Sequence, residues 1–268
     1  MEKKLRNIYT CFPEGKHKAL TMSYDDGRIE DRRLVEIFNK YSIKGTFHVN
    51  SGIHSEERVP LSEYKLLYRG HEVSAHTSTH PTISRCPINQ VVQQILEDRK
   101  ALEKAVGYPV RGMSYPNGSY SREIINMLPS LGIRYSRIVG NSDSFGIPED
   151  FLEWKATCHH NHNLMKLAEE FLSLNKSQYL YMMYVWGHSY EFTDNNNWNL
   201  MEEFCQLSGY RDEVWYATNI QIVDYLDAAK RLQYTVTGDA VYNPSFQSVW
   251  ISVDNKLHEV KGGKLVKL

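Results

Sequence analysis

Two adjacent carboxylates, Asp25 and Asp26, stand between Tyr24 and Gly27, and two histidines four residues apart, His76 and His80, enclose three hydroxyl residues ahead of Pro81. Acid pairs and imidazoles are the side chains that hold a divalent cation and move protons, so the chemistry in view is hydrolysis by an activated water. If the turn at Gly27 lets both carboxylates face one centre, one can ligate an ion while the other addresses its water. The competing reading is a solvated turn in which an Asp caps the next helix. Pro81 disfavours helical geometry at His80, and no Glu follows His76, so this is not the H-E-x-x-H helix of a metalloprotease. His76, His80 and one Asp together supply three protein ligands and leave an open position, as in a hydrolytic zinc site. A third polar group, His188, ends the β-like run Tyr181-Met182-Met183-Tyr184-Val185-Trp186-Gly187-His188. It reads as a fourth ligand, a general acid or a hydrogen-bonded core histidine.

Such clusters need rigid supports. Between residues 18 and 232 short β-like runs alternate with helical patterns, which predicts an α/β fold with a mainly parallel sheet or barrel. Strands are expected at 19–24, 45–49, 71–75, 110–115, 133–137, 151–154 and 179–186. Leu34, Val35, Ile37 and Phe38 mark a helix between the first two, and Val91, Val92, Ile95, Leu96, Leu102, Ala105 and Val106 share one face of the clearest helix, ended by Gly107. Further helices are expected at 122–128, 164–174, 200–207 and 220–232. About seven strands suit a closed barrel, and each chemical cluster follows a strand, where such barrels carry their functional loops. Residues 190–198, with Asn195-Asn196-Asn197, read as a long polar loop. After Leu232 the pattern turns to alternation and turns, which predicts a small antiparallel β element packed on the main body. The expected organisation is a barrel domain over 1–232 and a β-rich appendage over 233–268.

Composition removes several alternatives. With 268 residues, 41% hydrophobic and 24% charged, the chain can bury a sizeable core. Its 31 basic and 32 acidic residues give a net charge of −1, so no general attraction to nucleic acid or to an anionic membrane is expected. No run approaches the roughly 18 apolar residues of a spanning helix, and MEKKLRNIYT lacks the apolar stretch of a secretory signal. The expectation is a cytoplasmic chain, or a secreted one if the sequence is a trimmed mature form. Lys3, Lys4 and Arg6 read as a short solvated run. The 4 cysteines include no C-x-x-C pair, which argues against a disulfide framework and a thiolate zinc site.

Ser23-Tyr24-Asp25-Asp26-Gly27 resembles T-F-D-D-G, the first motif of the polysaccharide deacetylase family with its NodB-like catalytic domain, of the carbohydrate esterase family 4 type. His76-Thr77-Ser78-Thr79-His80 resembles its second motif, H-[ST]-x-x-H, and Trp186-Gly187-His188 stands where the late L-x-H motif would. The resemblance covers about 18–232 and implies a distorted seven-stranded (β/α) barrel. It further implies a metal-dependent hydrolase that removes N-acetyl groups from an amino-sugar glycan or oligosaccharide, with Asp25 as catalytic base, Asp26, His76 and His80 as metal ligands, and His188 as general acid. Zinc is the expected ion, with cobalt, nickel or manganese able to replace it.

The remaining motifs match loosely. Arg111-Gly112-Met113-Ser114-Tyr115-Pro116 stands for R-x-P-Y, which implies Arg111 as partner of the base and Tyr115 as a backbone oxyanion donor. Glu153-Trp154 stands for the Asp-Trp motif, with Trp154 expected to line the substrate groove. Trp186 replaces a Leu and is expected either to shape the acetyl pocket or to pack in the core. The alternatives to N-deacetylation are an O-acetyl esterase acting on a glycan and a non-catalytic carbohydrate-binding protein that keeps the ion. Cys158-His159-His160-Asn161-His162 is a second metal-capable cluster, read as a turn before a helix capped by Asn161 or Asn163. His48 reads as a hydrogen-bonded core histidine. Among the aromatic residues, those beside His188, Tyr190 above all, are placed to stack on sugar rings.

Overall fold

The computed structural model describes residues 5–268, so Lys3 and Lys4 lie outside the described residues. Strand β1 (Ile8–Cys11) precedes β2 (Lys18–Asp25), α1 (Asp31–Lys40), β3 (Gly45–Val49), the single turn α2 (Tyr64–Leu67) and β4 (Glu72–Ala75). The long helix α3 (Ile88–Val106) ends on Gly107 at φ 82°, the left-handed stop that glycine favours. There follow β5 (Gly112–Ser114), α4 (Arg122–Met127), β6 (Tyr135–Asn141), β7 (Trp154–Ala156), β8 (Cys158–His159), α5 (Leu164–Ser173) and β9 (Tyr181–His188). Next come α6 (Tyr190–Asp194), α7 (Trp198–Ser208), β10 (Val214–Tyr216) and α8 (Asn219–Lys230).

All pairings among β2 to β10 are parallel, in the order β7-β6-β5-β4-β3-β2-β9-β8. The two ends of that order, β7 and β8, are separated only by Thr157. Counted as one interrupted strand, they pair with β6 on one side and β9 on the other and close a distorted seven-stranded barrel. Distortion has two local sources. β4 and β5 share a single residue pair, Ala75 with Met113. β10 lies along the lower half of β2, opposite Lys18, Ala19 and Leu20, because β3 begins to pair with β2 only at Met22.

Period-two alternation divides each strand between two environments. Leu20, Met22 and Tyr24 of β2, with Phe47, Val49, Val73, Ala75, Met183 and Val185, face the helices in one apolar cluster. The opposite parity fills the barrel. One wall is aromatic, with Tyr135, Trp154, Tyr184 and Trp186. The other is polar, with Thr21, Ser23, Asp25, Thr46, His48, Glu72, Ser74 and His76 all buried. Each of these side chains has at least one polar partner inside the barrel, as buried polar groups generally do. Asn219, at the start of α8, accepts from Thr21 at 2.8 Å and donates to Tyr184 Oη at 2.8 Å, while Glu72 accepts from Tyr135 Oη at 2.8 Å and Thr46 Oγ1 at 3.1 Å. Burial pushes the Glu72 carboxyl up to about 7. Gly112 is required by close approach, since a Cβ there would lie 2.2 Å from the Tyr135 ring.

After α8, strands β11 (Gln233–Tyr234), β12 (Ala240–Tyr242), β13 (Val249–Val253), β14 (Lys256–Val260) and β15 (Leu265–Lys267) form two small antiparallel sheets. The first strand of the chain belongs here as well, since β1 pairs with β13. Tyr225 of α8 ties this element to the barrel by donating to Cys11 O at 2.6 Å and accepting from Trp250 N at 3.0 Å. The expected polar loop at 190–198 is instead helical at its start, because Phe192 is fully buried and anchors α6. Among the described residues no helix is long and apolar enough to cross a membrane.

Trp154 requires a correction. It is fully buried against Tyr184 at 4.6 Å, Phe151 at 4.9 Å and Tyr135 at 5.6 Å between ring centroids, so it is core and does not line a groove. Trp154→Ala is expected to cost about 3–5 kcal/mol of stability, read from chemical denaturation. An unchanged midpoint would show that the aromatic wall does not carry the barrel.

Candidate active site

Asp25 is the last residue of β2, and its register partners on the neighbouring strands are His48 and His188. Being on the inward parity it is 3% exposed, and two side chains answer its charge. The Arg137 guanidinium of β6 pairs with Oδ2 and the Ser114 hydroxyl donates to Oδ1 at 3.2 Å, while His76 Nε2 lies 3.8 Å from Oδ2. Burial alone would raise this carboxyl, but Arg137, then His76, His48 and His188, outweigh it and hold the acid well below the usual carboxylate range. Asp25 is therefore an anion across the whole working pH range.

The expected partner of Asp25 was Arg111, and that expectation is corrected. Arg111 forks onto Asp224 at 2.8 and 2.7 Å at the partly exposed outer face of the barrel. Arg137 takes the place, reaching in from the strand beside Ser114, its register partner. Tyr115 is likewise corrected as an oxyanion donor, because its backbone N–H donates to Arg137 O at 3.0 Å. Its hydroxyl donates to Leu152 O at 2.8 Å. Glu153 pairs with Arg122 at 2.9 Å, away from Asp25.

Asp26, His76 and His80 come together. Their ligand atoms all lie within 4.8 Å of one another, with His80 Nε2 3.9 Å from Asp26 Oδ1. His76 Nδ1 lies 2.9 Å from Ser114 O, and since a carbonyl only accepts, the ring hydrogen is on Nδ1 and the Nε2 lone pair is free. A ligand histidine is held in this way, with its second nitrogen donating to a carbonyl. Two imidazoles and a carboxylate with this orientation fit a divalent ion. The loops that present them are strained, with φ of 80° at Asp26, 62° at Thr77 and 56° at His80. Each such conformation costs about 1–3 kcal/mol and persists only where its surroundings fix it. Part of that fixation is Asp98 of α3, which accepts from Ser51 N at 2.8 Å and His76 N at 2.9 Å. Burial pushes Asp98 up to about 6.

His188 ends β9, and its Nδ1 lies 2.9 Å from Glu191 Oε1 on the first turn of α6. Burial would lower its pKa, but Glu191, then Asp25 and Asp26, raise it above the ordinary imidazole value. Glu191 also gathers His159 Nε2 at 3.2 Å and His160 Nε2 at 2.9 Å. Burial pushes Glu191 up, but the contacts from His159, His160 and His188 hold it far below its ordinary value. This second cluster differs from the first in ring orientation. His159 Nδ1 accepts from Asn161 N–H at 3.1 Å, so the neutral ring carries its hydrogen on Nε2 and donates toward Glu191. It is thereby a hydrogen-bonded support for Glu191. Asn163 does precede α5, at φ 48°, but its side chain makes no cap. His48 accepts or donates at 2.8 Å with Ser23 Oγ and is fully buried, and Trp186 lies under the Arg137 guanidinium at 4.3 Å with its edge toward His159. Tyr190 stands beside His188, 5.3 Å between ring centroids, and the Arg28 guanidinium lies over the Tyr190 ring, 5.1 Å from its centroid.

Residues 13–136 match the family profile described as polysaccharide deacetylase. That match takes in just under half of the 268-residue chain. Among curated proteins, a chitooligosaccharide deacetylase of Sinorhizobium fredii is 28% identical over 118 residues, 43% of this chain and 54% of that protein. A peptidoglycan-N-acetylglucosamine deacetylase of Listeria monocytogenes is 26% identical over 115 residues, 42% of this chain and 24% of that one. The chain thus spans about half, or less, of the length of these relatives. Among solved structures, a candidate polysaccharide deacetylase from Mycobacterium smegmatis superposes with a TM-score of 0.64 at 17% identity, covering 83% of this chain and 94% of that one. A CE4 family pseudoenzyme from Bacillus anthracis gives 0.50 at 17% identity, covering 81% and 68%. These likenesses establish the deacetylase fold. Since a pseudoenzyme shares it, turnover must be argued from side chains.

Arg137, Glu191 and Asp98 were missed in the sequence, although each left a trace. Arg137 follows Tyr135 at strand spacing, Asp98 interrupts the apolar face of Val91, Ile95, Leu102 and Val106, and Glu191 stands three residues after His188. Arg137→Met is expected to cost about 3–5 kcal/mol, because it strands a buried carboxylate, whereas Arg111→Met removes a half-exposed pair and should cost about 1 kcal/mol or less. Urea unfolding of the two variants at neutral pH checks the ranking, and equal losses would contradict it.

Proposed function

We propose that this chain is a metal-dependent carbohydrate deacetylase, which hydrolyses an acetamido group on an amino-sugar glycan or oligosaccharide to acetate and a free amine. The observation that carries the reading is geometric: beside the convergent donors Asp26, His76 and His80 stand a buried carboxylate, Asp25, paired with Arg137, and an imidazole, His188, whose Nδ1 lies 2.9 Å from Glu191 Oε1. Asp26, His76 and His80 would hold the ion, for which zinc suits the two imidazoles and one carboxylate. When bound, it supplies Lewis acidity, which brings water within reach of a carboxylate as weakly basic as Asp25 and polarises the acyl oxygen.

The protein's own groups divide the proton traffic. Asp25, kept ionised by Arg137, accepts the proton of the water that attacks the acyl carbon. His188 has its Nδ1 turned to Glu191, which leaves Nε2 to deliver a proton to the sugar nitrogen as the C–N bond breaks. That delivery is indispensable for an amide, because an unprotonated amide nitrogen is not a leaving group in neutral water. An ester leaves as an alkoxide with less help, so the charge-supported acid favours the N-acetyl substrate over an O-acetyl one. The buried wall of Trp186 and Arg137 beside His188 bounds the space open to the acyl group, and Tyr190, its ring covered by the Arg28 guanidinium, stands at the rim.

Acetate release from N-acetylglucosamine oligomers and from acetylated xylan, measured side by side, tests the reading; turnover of the ester alone would reject the amide preference. Asp25→Asn and His188→Ala are each expected to lower kcat/KM by about 10²–10⁴-fold. The pH dependence has a defined sign. His188 must be protonated, and Glu191 helps raise its pKa, so Glu191→Gln should move the alkaline limb of the kcat/KM profile to lower pH. An unmoved limb in that variant would remove Glu191 from the role.

A further inference from the structure

The three donors of the candidate ion site come from two loops that share no strand pairing: Asp26 after β2, and His76 and His80 after β4, which lies beyond β3. One pair of side chains bridges them. Arg58 Nη1 donates to the carbonyl oxygen of Asp26 and, at 3.0 Å, to Asn50 Oδ1, while its Nη2 stands 3.7 Å from the Asp26 carboxylate. Asn50, 2% exposed at the end of β3, turns its Nδ2 to the other loop, donating to His76 O at 2.7 Å and to Thr77 O at 2.9 Å. Carbonyls only accept, so the amide has one orientation here, and its oxygen and both its hydrogens are engaged.

The carbonyls gripped are those of Asp26, His76 and Thr77, and two of these residues, Asp26 and Thr77, hold positive φ angles that non-glycine residues rarely adopt. Thr77 is β-branched, which makes its conformation the less natural of the two. The grip therefore falls on the peptide units whose geometry sets where the Asp26 carboxylate and the His76 ring point. We infer that Asn50 and Arg58 form a clasp that positions the metal donors, fixing the distance between the Asp26 loop and the His76–His80 loop before any ion arrives. Neither residue donates an atom to the ion, so their action is on its affinity, through the preorganisation of the donors. The clasp rests on the reading of Asp26, His76 and His80 as ion ligands.

Calorimetric titration of chelator-stripped protein with zinc alone tests it, with Asp26→Asn as reference. The wild type should bind one ion at this site and Asp26→Asn should lose it. Asn50→Ala is expected to keep the stoichiometry and weaken the Kd about 10–100-fold, the range found for outer partners of metal ligands. Arg58→Lys, which keeps the charge and loses the fork, should weaken it in the same direction. Because only affinity is affected, turnover of Asn50→Ala should recover on adding excess zinc, with KM for the glycan unchanged. If both variants bind zinc within twofold of the wild type while Asp26→Asn does not, the clasp is wrong and the ion site stands. If the wild type binds no ion, or Asp26→Asn binds as well as the wild type, the ion site fails and the clasp falls with it.

Discussion

A carboxylate walled inside a barrel stays ionised only beside a compensating cation, and the position of Arg137 fixes where that can happen. Its guanidinium arrives from β6 over the small side chain of Ser114, with the Trp186 ring beneath it, and meets Asp25 at the top of the polar wall. Guanidinium tolerates such a place better than ammonium would, being planar, weakly hydrated and suited to an aromatic face. The pair leaves Asp25 an anion, and that anion in turn helps His188, on the adjacent strand, to keep its proton. A depressed carboxyl and a raised imidazole thus stand on adjacent strands, tuned by one ion pair and one Glu–His contact. The division of the interior into a polar and an aromatic half allows it, since the aromatic half lies against the guanidinium while the polar half brings the Ser114 hydroxyl to the carboxylate.

Strands and the first two motifs were legible in the sequence because both obey local rules. The run at 45–49 is a strand within the same bounds, and α3 buries Val91, Ile95, Leu102 and Val106 of the predicted stripe before Gly107 ends it, whereas Leu96 of that stripe is exposed. Asp26, His76 and His80 converge because each loop follows a parallel strand, and parallel strands end on one side. Partners across the barrel were not legible. Arg111 lies nearer the motif in sequence than Arg137, but it precedes β5 and forks onto Asp224 at the outer face, whereas Arg137 shares the inward parity of Tyr135. Only the register between β5 and β6 distinguishes them, and register is a property of the folded sheet. The same holds for Trp154, whose place in the core depends on strands far away in the chain, and for α6, which a polar composition concealed until Phe192 found its pocket.

Shared architecture carries less weight here than the inventory of side chains. A pseudoenzyme with this barrel shows that the scaffold tolerates loss of function, so the distinguishing features are the tautomers. His76 has its hydrogen toward Ser114 and a free lone pair inward; His159 has the reverse arrangement and serves a carboxylate. Two clusters of similar composition therefore present their histidines differently, His76 with a free Nε2 lone pair and His159 with its Nε2 hydrogen toward Glu191.

Gly187 joins these two territories. A Cβ there would lie 2.0 Å from His160 Nδ1, and His160 is slotted between Tyr24 and Phe192 with no room to retreat. The peptide that carries the proposed acid and the ring that steadies Glu191 are packed as closely as backbone and heterocycle can be. Volume, not chemistry, dictates this position: a single hydrogen atom where every other residue type has a carbon is what lets the chain deliver His188 and its carboxylate neighbour to the same rim.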